Sequence, residues 1–257
     1  MIHPTAIVHP GAKLAPDVTI DAYAVIGEHV EIGAGTHVGP HAVITGHTRI
    51  GRANRIFQFV SLGEMPQDKK YGGEPTRLEI GNGNTIREFC TFNTGTVQDA
   101  GATRVGDDNW IMAYVHLAHD CQVGSHTVLA NLVALAGHVA IHDYAILAGG
   151  VMVHQHCRIG VSAFVAGGSI VLRDVPPYVM ASGGTSAEPH GINSEGLKRR
   201  GFNPNAIENI RKAYKTLYRS GLGFEEAKQA IAELAREASE LEVMAQFLAS
   251  STRGVAR

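Results

Sequence analysis

Large apolar side chains recur at every sixth position over most of this chain. The series runs Ile2, Val8, Leu14, Ile20, Ile26, Ile32, Val38, Ile44, Ile50, Ile56 and Leu62. It resumes at Ile80, Ile86 and Phe92, and again from Val105 through Ile111, Leu117, Val123, Leu129, Leu135, Ile141, Leu147, Val153, Ile159 and Val165 to Val171. An amphipathic helix needs spacings of three and four, and a half-buried strand needs alternation. Period six is neither. It predicts a β-solenoid in which six residues make one short strand and one corner, with the apolar residue pointing inward. Small residues four positions later (Ala6, Ala12, Ala24, Thr36) suit the corner. Three such units close a triangular coil, and coils stack about 4.8 Å apart through backbone hydrogen bonds.

Two stretches break the period, 63–79 and 93–104. Leu62 and Ile80 are 18 residues apart, so the first break is expected to replace one full coil and keep the phase. It is polar, carries Pro66, Gly72, Gly73 and Pro75, and reads as a loop thrown outward. The second shifts the phase by one. Long loops in a compact solenoid are usually functional. The period ends near Asp174-Val175-Pro176-Pro177, and a Gly/Ser-rich passage follows. Beyond it the pattern turns helical. Asn203 is the expected N-cap with Pro204 at the first helical position, and Ile207, Ile210, Tyr214, Leu217 and Tyr218 form one apolar stripe. The expected organisation is a solenoid over 1–190 and a C-terminal α-helical domain over 191–257. The helical part would cover the open end of the last coil.

Composition narrows the function. The 257 residues carry 22 Lys and Arg against 24 Asp and Glu, a net charge of −2. That balance argues against non-specific nucleic-acid binding. A hydrophobic content of 44% argues against intrinsic disorder. Three cysteines, Cys90, Cys121 and Cys157, form no CxxC pair, so a reducing compartment fits better than a disulfide scaffold. The first residues lack the basic and apolar regions of a secretory signal, and no apolar run reaches the length of a membrane span. The expectation is a cytoplasmic protein without stable membrane insertion.

The repeat makes the placement of polar residues calculable. Residues 18 apart share a column, so His119, Gly137 and Gln155 stack on successive coils. His138 and His154 flank that column and His116 lies in the preceding unit. These residues are expected to line one stretch of surface. Asp120 follows His119 directly, and a carboxylate holding one imidazole nitrogen suits a general base. The alternative is that they are exposed corner residues without a task. A zinc reading is also open, with His116, His119 and Cys121 as candidate ligands, although no HExxH or paired CxxC is present. No GxGxxG or Walker motif stands in a strand-then-helix setting, so no nucleotide cofactor is expected.

The segments GEPTRLEIG, HLAHDC, LAGHV, DVPPY, EGLKRRGF, AYKTLYRSG and STRG, spread over nearly the whole chain, resemble one family of hexapeptide-repeat enzymes. It is the acyltransferase family that acylates UDP-N-acetylglucosamine in lipid A biosynthesis. The resemblance implies a left-handed parallel β-helix, a homotrimer with active sites between subunits, and acyl carrier protein as the acyl donor. It implies transfer of an (R)-3-hydroxyacyl chain to the sugar 3-hydroxyl, with no metal and no cofactor. His119 would be the general base, Asp120 its orienting group and the Gly137 N–H an oxyanion donor. His116, His138, His154 and Gln155 would position the substrates. Asn193, Glu195 and Arg199 would contact the nucleotide, and Gln67, Asp68 and Lys70 the diphosphate or sugar. Gly167 would set acyl length, its lack of a side chain leaving room for a long chain. The family often carries His-Arg before Gly-Thr where this chain reads Asn93-Thr94-Gly95-Thr96, so Asn93 is the expected substitute contact. A basic helical face with Lys198, Arg199, Arg200, Arg211, Lys212 and Lys215 would either dock the acidic carrier or serve only to keep the helices solvated. The competing readings are a CoA-dependent acetyltransferase of the same fold, a γ-type zinc carbonic anhydrase, and a non-catalytic structural β-helix.

Overall fold

The computed structural model describes residues 1–257. Each unit of six forms a short strand, mostly of two residues, whose first residue faces outward and whose second faces in, as in Val25–Ile26 and His116–Leu117. Every period residue from Ile20 to Val171 is buried. The strands stack into three parallel sheets, the faces of a triangular prism. Face I runs from Ile7–Val8 to Ile170–Val171 in nine strands, and face II from Lys13–Leu14 to Arg158–Ile159 in eight. Face III begins at Thr19–Ile20. Partners within the regular coils are 18 residues apart, as in Val25 with Val43 and His116 with Ala134.

The two insertions are smaller than the spacing predicts. Ser61 pairs with Thr91, 30 positions on, so the first insertion adds 12 residues to an 18-residue coil and does not replace one. Leu62 and Ile80 lie on neighbouring faces of the same coil, which is why their separation misleads. Thr91 pairs with His116, so the second insertion adds seven. Longer strands absorb part of each predicted loop. Ser61–Glu64 and Arg77–Ile80 leave 65–76 irregular, and Thr91–Asn93 and Ala102–Val105 leave 94–101. Both loops leave face I and re-enter face II, so both project from the I–II edge.

The other two edges are ladders. On the II–III edge, buried Asn54, Asn84 and Asn109 form a chain. Each side-chain oxygen accepts both the backbone N–H and the amide N–H of the asparagine on the next coil, and Thr127 ends the run. On the III–I edge the exposed rings of Tyr23, His41, Phe59, Phe89 and Tyr114 stack with centroids 4.8–5.4 Å apart. Leu132, Gly150 and Gly168 continue that left-handed backbone column without rings.

At the far end, Val179–Ser182 extends face III and pairs antiparallel with Glu188–Ile192, which covers its edge. Four helices follow: α1 (Ser194–Arg199), α2 (Pro204–Tyr218), α3 (Phe224–Ala235) and α4 (Glu242–Ala249). The Asn203 side chain caps α2 through the Ala206 N–H, and Ile207, Ile210, Tyr214 and Leu217 are buried. Arg158 ties the helices to the last coils. Its guanidinium bonds Asp174, Ser250 and the Phe247 carbonyl, and lies 4.3 Å from the Phe247 ring centroid. No helix is long and apolar enough to cross a membrane.

Candidate active site

The I–II edge carries the polar chemistry. On three successive coils it holds the 65–76 loop, the 94–101 loop and the tight turn containing His119 and Asp120. Asp120, His138 and His156 occupy one column in the left-handed region, with φ near +60°. Asp and His tolerate that conformation better than bulky or branched residues. Coil stacking therefore aligns three polar side chains at intervals of one strand spacing.

Asp120 is fully buried and fully engaged. It accepts the Thr96 N–H on Oδ1 at 2.9 Å, the Thr96 hydroxyl on Oδ2 at 2.7 Å and the His119 Nδ1–H on Oδ2 at 2.9 Å. Its own N–H donates to Thr103 Oγ1 at 2.9 Å. The carboxylate thereby fixes the proton of neutral His119 on Nδ1 and leaves Nε2 as a lone-pair base. Gly137 lies directly over this imidazole. A Cβ there would fall 2.6 Å from both Cε1 and Nε2, so only glycine permits the approach. No protein acceptor takes the Gly137 N–H.

His138 stands edge-on to His119, centroids 4.9 Å apart, and donates Nδ1–H to Asp99 at 2.7 Å. That bond is the largest influence on Asp99 and holds its carboxyl below the ordinary range. His156 stacks on His138 at 4.3 Å. Burial and then the facing His138 hold His156 below the usual imidazole value.

The other expected residues divide. His116 lies on the outer side of face I, its Nδ1 paired with Thr91 Oγ1 at 2.8 Å, and burial lowers its pKa. Asn93 is buried next to the base of the first loop, donating to the Met65 carbonyl, with Oδ1 unpaired. His154 and Gln155 do not join the cluster through polar contacts. The His154 side chain bonds only the adjacent Gln155 carbonyl, and both residues are exposed. His156 fills the place expected for them, because the column through His138 continues there. Gln67, Asp68 and Lys70 lie on the first loop, where the Asp68 carboxylate accepts the Lys70 N–H. Asn193 caps α1 and donates to the Ser162 carbonyl on the II–III edge, with Glu195 and Arg199 on the same helix. They stand on a different edge of the prism from His119. Gly167 lies between faces III and I, against the Gly149 carbonyl.

Sequence reasoning missed Thr96, Asp99, Thr103 and His156. Only His156 had a signal, its 18-residue offset from His138. His119, Asp120 and His138 bring donor atoms within 4.8 Å of one another, a spacing that a metal ion also uses. Here Asp120 is filled by Thr96 and His119, and His138 Nδ1 by Asp99, so the donors address one another and not a common point.

A parallel β-helix of six-residue units, with a carboxylate-held imidazole on one edge, has the architecture of the hexapeptide-repeat transferases. Comparison with known proteins agrees. Residues 11–46 and 102–137 match the model of the bacterial transferase hexapeptide, and 174–256 match domain 2 of UDP-N-acetylglucosamine O-acyltransferase. The acyl-[acyl-carrier-protein]--UDP-N-acetylglucosamine O-acyltransferase of Thiobacillus denitrificans is 60% identical over 100% of this chain and 99% of its own. That of Neisseria gonorrhoeae is 59% identical with the same coverage. The solved UDP-N-acetylglucosamine acyltransferase of Francisella novicida superposes with a TM-score of 0.98 at 46% identity, covering 100% of this chain and 94% of that one. This chain belongs to the UDP-N-acetylglucosamine O-acyltransferase family, and its fold is the left-handed parallel β-helix of hexapeptide repeats with short C-terminal helices.

Proposed function

We propose that this protein transfers an (R)-3-hydroxyacyl chain from acyl carrier protein to the 3-hydroxyl of UDP-N-acetylglucosamine, as a cytoplasmic homotrimer serving lipid A biosynthesis. The observation that carries the reading is the His119–Asp120 bond with Gly137 packed on the imidazole, its own N–H taken by no protein acceptor. The curated relatives supply the donor and acceptor by name.

The geometry supports the following steps. Nε2 of His119 takes the proton of the sugar hydroxyl as its oxygen attacks the thioester carbonyl. The Gly137 N–H meets the oxyanion that forms. The carbon–sulfur bond breaks, and the imidazolium returns its proton to the departing thiolate. Asp120 holds the ring throughout and stabilises its charged form. A thioester is activated, so no covalent enzyme intermediate is needed. His116, His138 and Asn93 bound the acceptor pocket, with Gln67, Asp68 and Lys70 reaching in from the first loop. Ala134, Met152 and Ile170 form an apolar strip on face I toward Gly167, suited to the acyl chain. Asn193, Glu195 and Arg199 stand on another edge of the same chain, which supports a site completed by a neighbouring subunit.

The test is an acyl-transfer assay with UDP-N-acetylglucosamine, a length series of hydroxyacyl-carrier-protein donors, acyl-CoAs and the 3-amino sugar analogue. Turnover with carrier-protein donors and the hydroxyl sugar supports the reading. Turnover confined to CoA donors, or to the amino sugar, overturns the substrate assignment.

A further inference from the structure

The 94–101 loop makes two separate polar contacts with the catalytic edge. Thr96 binds Asp120, and three residues later Asp99 binds His138, 39 positions away in sequence. The loop is braced internally by Gly101 and Asp99 N–H groups donating to the Thr96 carbonyl. We propose that Asp99 is a positioning residue for the transfer reaction: by accepting the Nδ1–H of His138 it fixes that imidazole and keeps it off the Asp120 oxygen that holds His119. The inference rests on the active-site reading above.

Competition for one oxygen makes the arrangement necessary. His138 Nδ1 lies 2.7 Å from Asp99 and 3.9 Å from Oδ2 of Asp120, the same oxygen that holds His119. The backbone column puts both imidazoles within reach of one buried carboxylate. If His138 turned its Nδ1–H to Asp120, it would contest the bond that keeps the His119 proton on Nδ1. Asp99 supplies a nearer acceptor, and the stacked His156 ring backs the opposite movement. With Nδ1 spoken for, imidazole geometry leaves Nε2 of His138 on the far side of the ring from Asp99. Asp99 touches neither His119 nor any group assigned to the reacting atoms. Its side chain is 49% exposed on a loop, so its replacement leaves the core untouched.

Steady-state kinetics of Asp99→Ala, Asp99→Asn, His138→Ala and Asp99→Ala/His138→Ala test this. Asp99→Ala is expected to lower kcat about tenfold, below the range of a direct acid–base group, with KM for the sugar nucleotide within about twofold. Asp99→Asn restores most of kcat, because the amide oxygen accepts the same bond. The double variant matches His138→Ala, because the aspartate acts through that ring. Undiminished kcat in Asp99→Ala overturns the proposal. So does a further tenfold loss on adding Asp99→Ala to His138→Ala, which would assign Asp99 to loop folding or to substrate. His119→Ala in the same assay separates the two levels: full turnover there defeats the active-site reading itself, whatever Asp99 does.

Discussion

Gly137 sits over the imidazole of His119 so closely that a methyl group has no place between them. Its φ is not left-handed, so alanine meets a steric obstacle and not a backbone one. Gly137→Ala must tilt the ring, and the tilt breaks its bond to Asp120. The expected loss in kcat is on the order of 10² or more, comparable to removing an oxyanion donor. Wild-type kcat in a correctly folded Gly137→Ala would show that the ring does not need its present pose.

Thr96 gives Asp120 two of its three donors, His119 being the third. Thr96→Val keeps the shape and the backbone N–H but removes the hydroxyl bonded to Oδ2. A buried carboxylate deprived of one donor holds its partner imidazole less well. A drop in kcat of roughly tenfold is expected, with substrate KM nearly unchanged. A rise in KM with normal kcat would instead place Thr96 in ground-state binding.

The asparagine ladder sets a stability prediction far from the site. Asn84→Ala takes one of two donors from the Asn54 side-chain oxygen, which keeps the backbone N–H of residue 84, and leaves the Asn109 N–H groups and the Gly106 carbonyl without their partner. Each is buried or partly buried, so a loss of about 2–4 kcal/mol is expected in urea unfolding. An unchanged midpoint would mean that water replaces the amide.

Stability should fall on the acid side of neutrality. Burial holds His116, His142 and His156 below the usual imidazole value, and the Arg158 charge adds to the effect at His142. The unfolded chain protonates these residues first as pH drops through about 6.5. Their contribution is therefore complete above that value and is lost as pH falls through their depressed folded values. Asp99, held low by His138, gives up its share only further down. Tm should be flat above pH 7 and decline toward pH 5, with a shallower slope in His142→Leu. A Tm that holds or rises between pH 7 and 5 would contradict this assignment.

Gly167 is the remaining substitution of interest. Unlike Gly168, it does not adopt positive φ, so a side chain is conformationally tolerated there. Its nearest obstacle is the Gly149 carbonyl at 3.2 Å. Gly167→Met is expected to shift donor preference toward shorter acyl chains in a competition assay. An unaltered length profile would remove Gly167 from chain selection.

The solenoid was legible because burial in it is strictly periodic. Each inward residue from Ile20 to Val171 declares itself by spacing alone, and the 18-residue offset then stacks Gly137 on His119. The offset was less reliable where the chain departs from it. Separation along the sequence could not tell that Leu62 and Ile80 belong to one coil, because that depends on which corner the loop leaves. Thr96 and Asp99 were invisible for the same reason, since a loop outside the period has no computable column. The asparagine ladder escaped notice because its members are polar and so do not belong to the apolar series. Gln155 shares the 18-residue column of His119 and His154 flanks it, whereas the left-handed column through Asp120 and His138 continues at His156.

Both insertions and the turn that carries His119 leave the prism at one edge. The stacking of coils requires only that the chain re-enter face II in register, so the number of residues spent outside does not enter the condition. Additions of 12 and seven residues satisfy it equally. The scaffold and its chemistry can therefore change independently. A lineage, or a designer, can lengthen, shorten or exchange the loops at this edge to suit another acceptor while the rungs beneath keep His119 where it is.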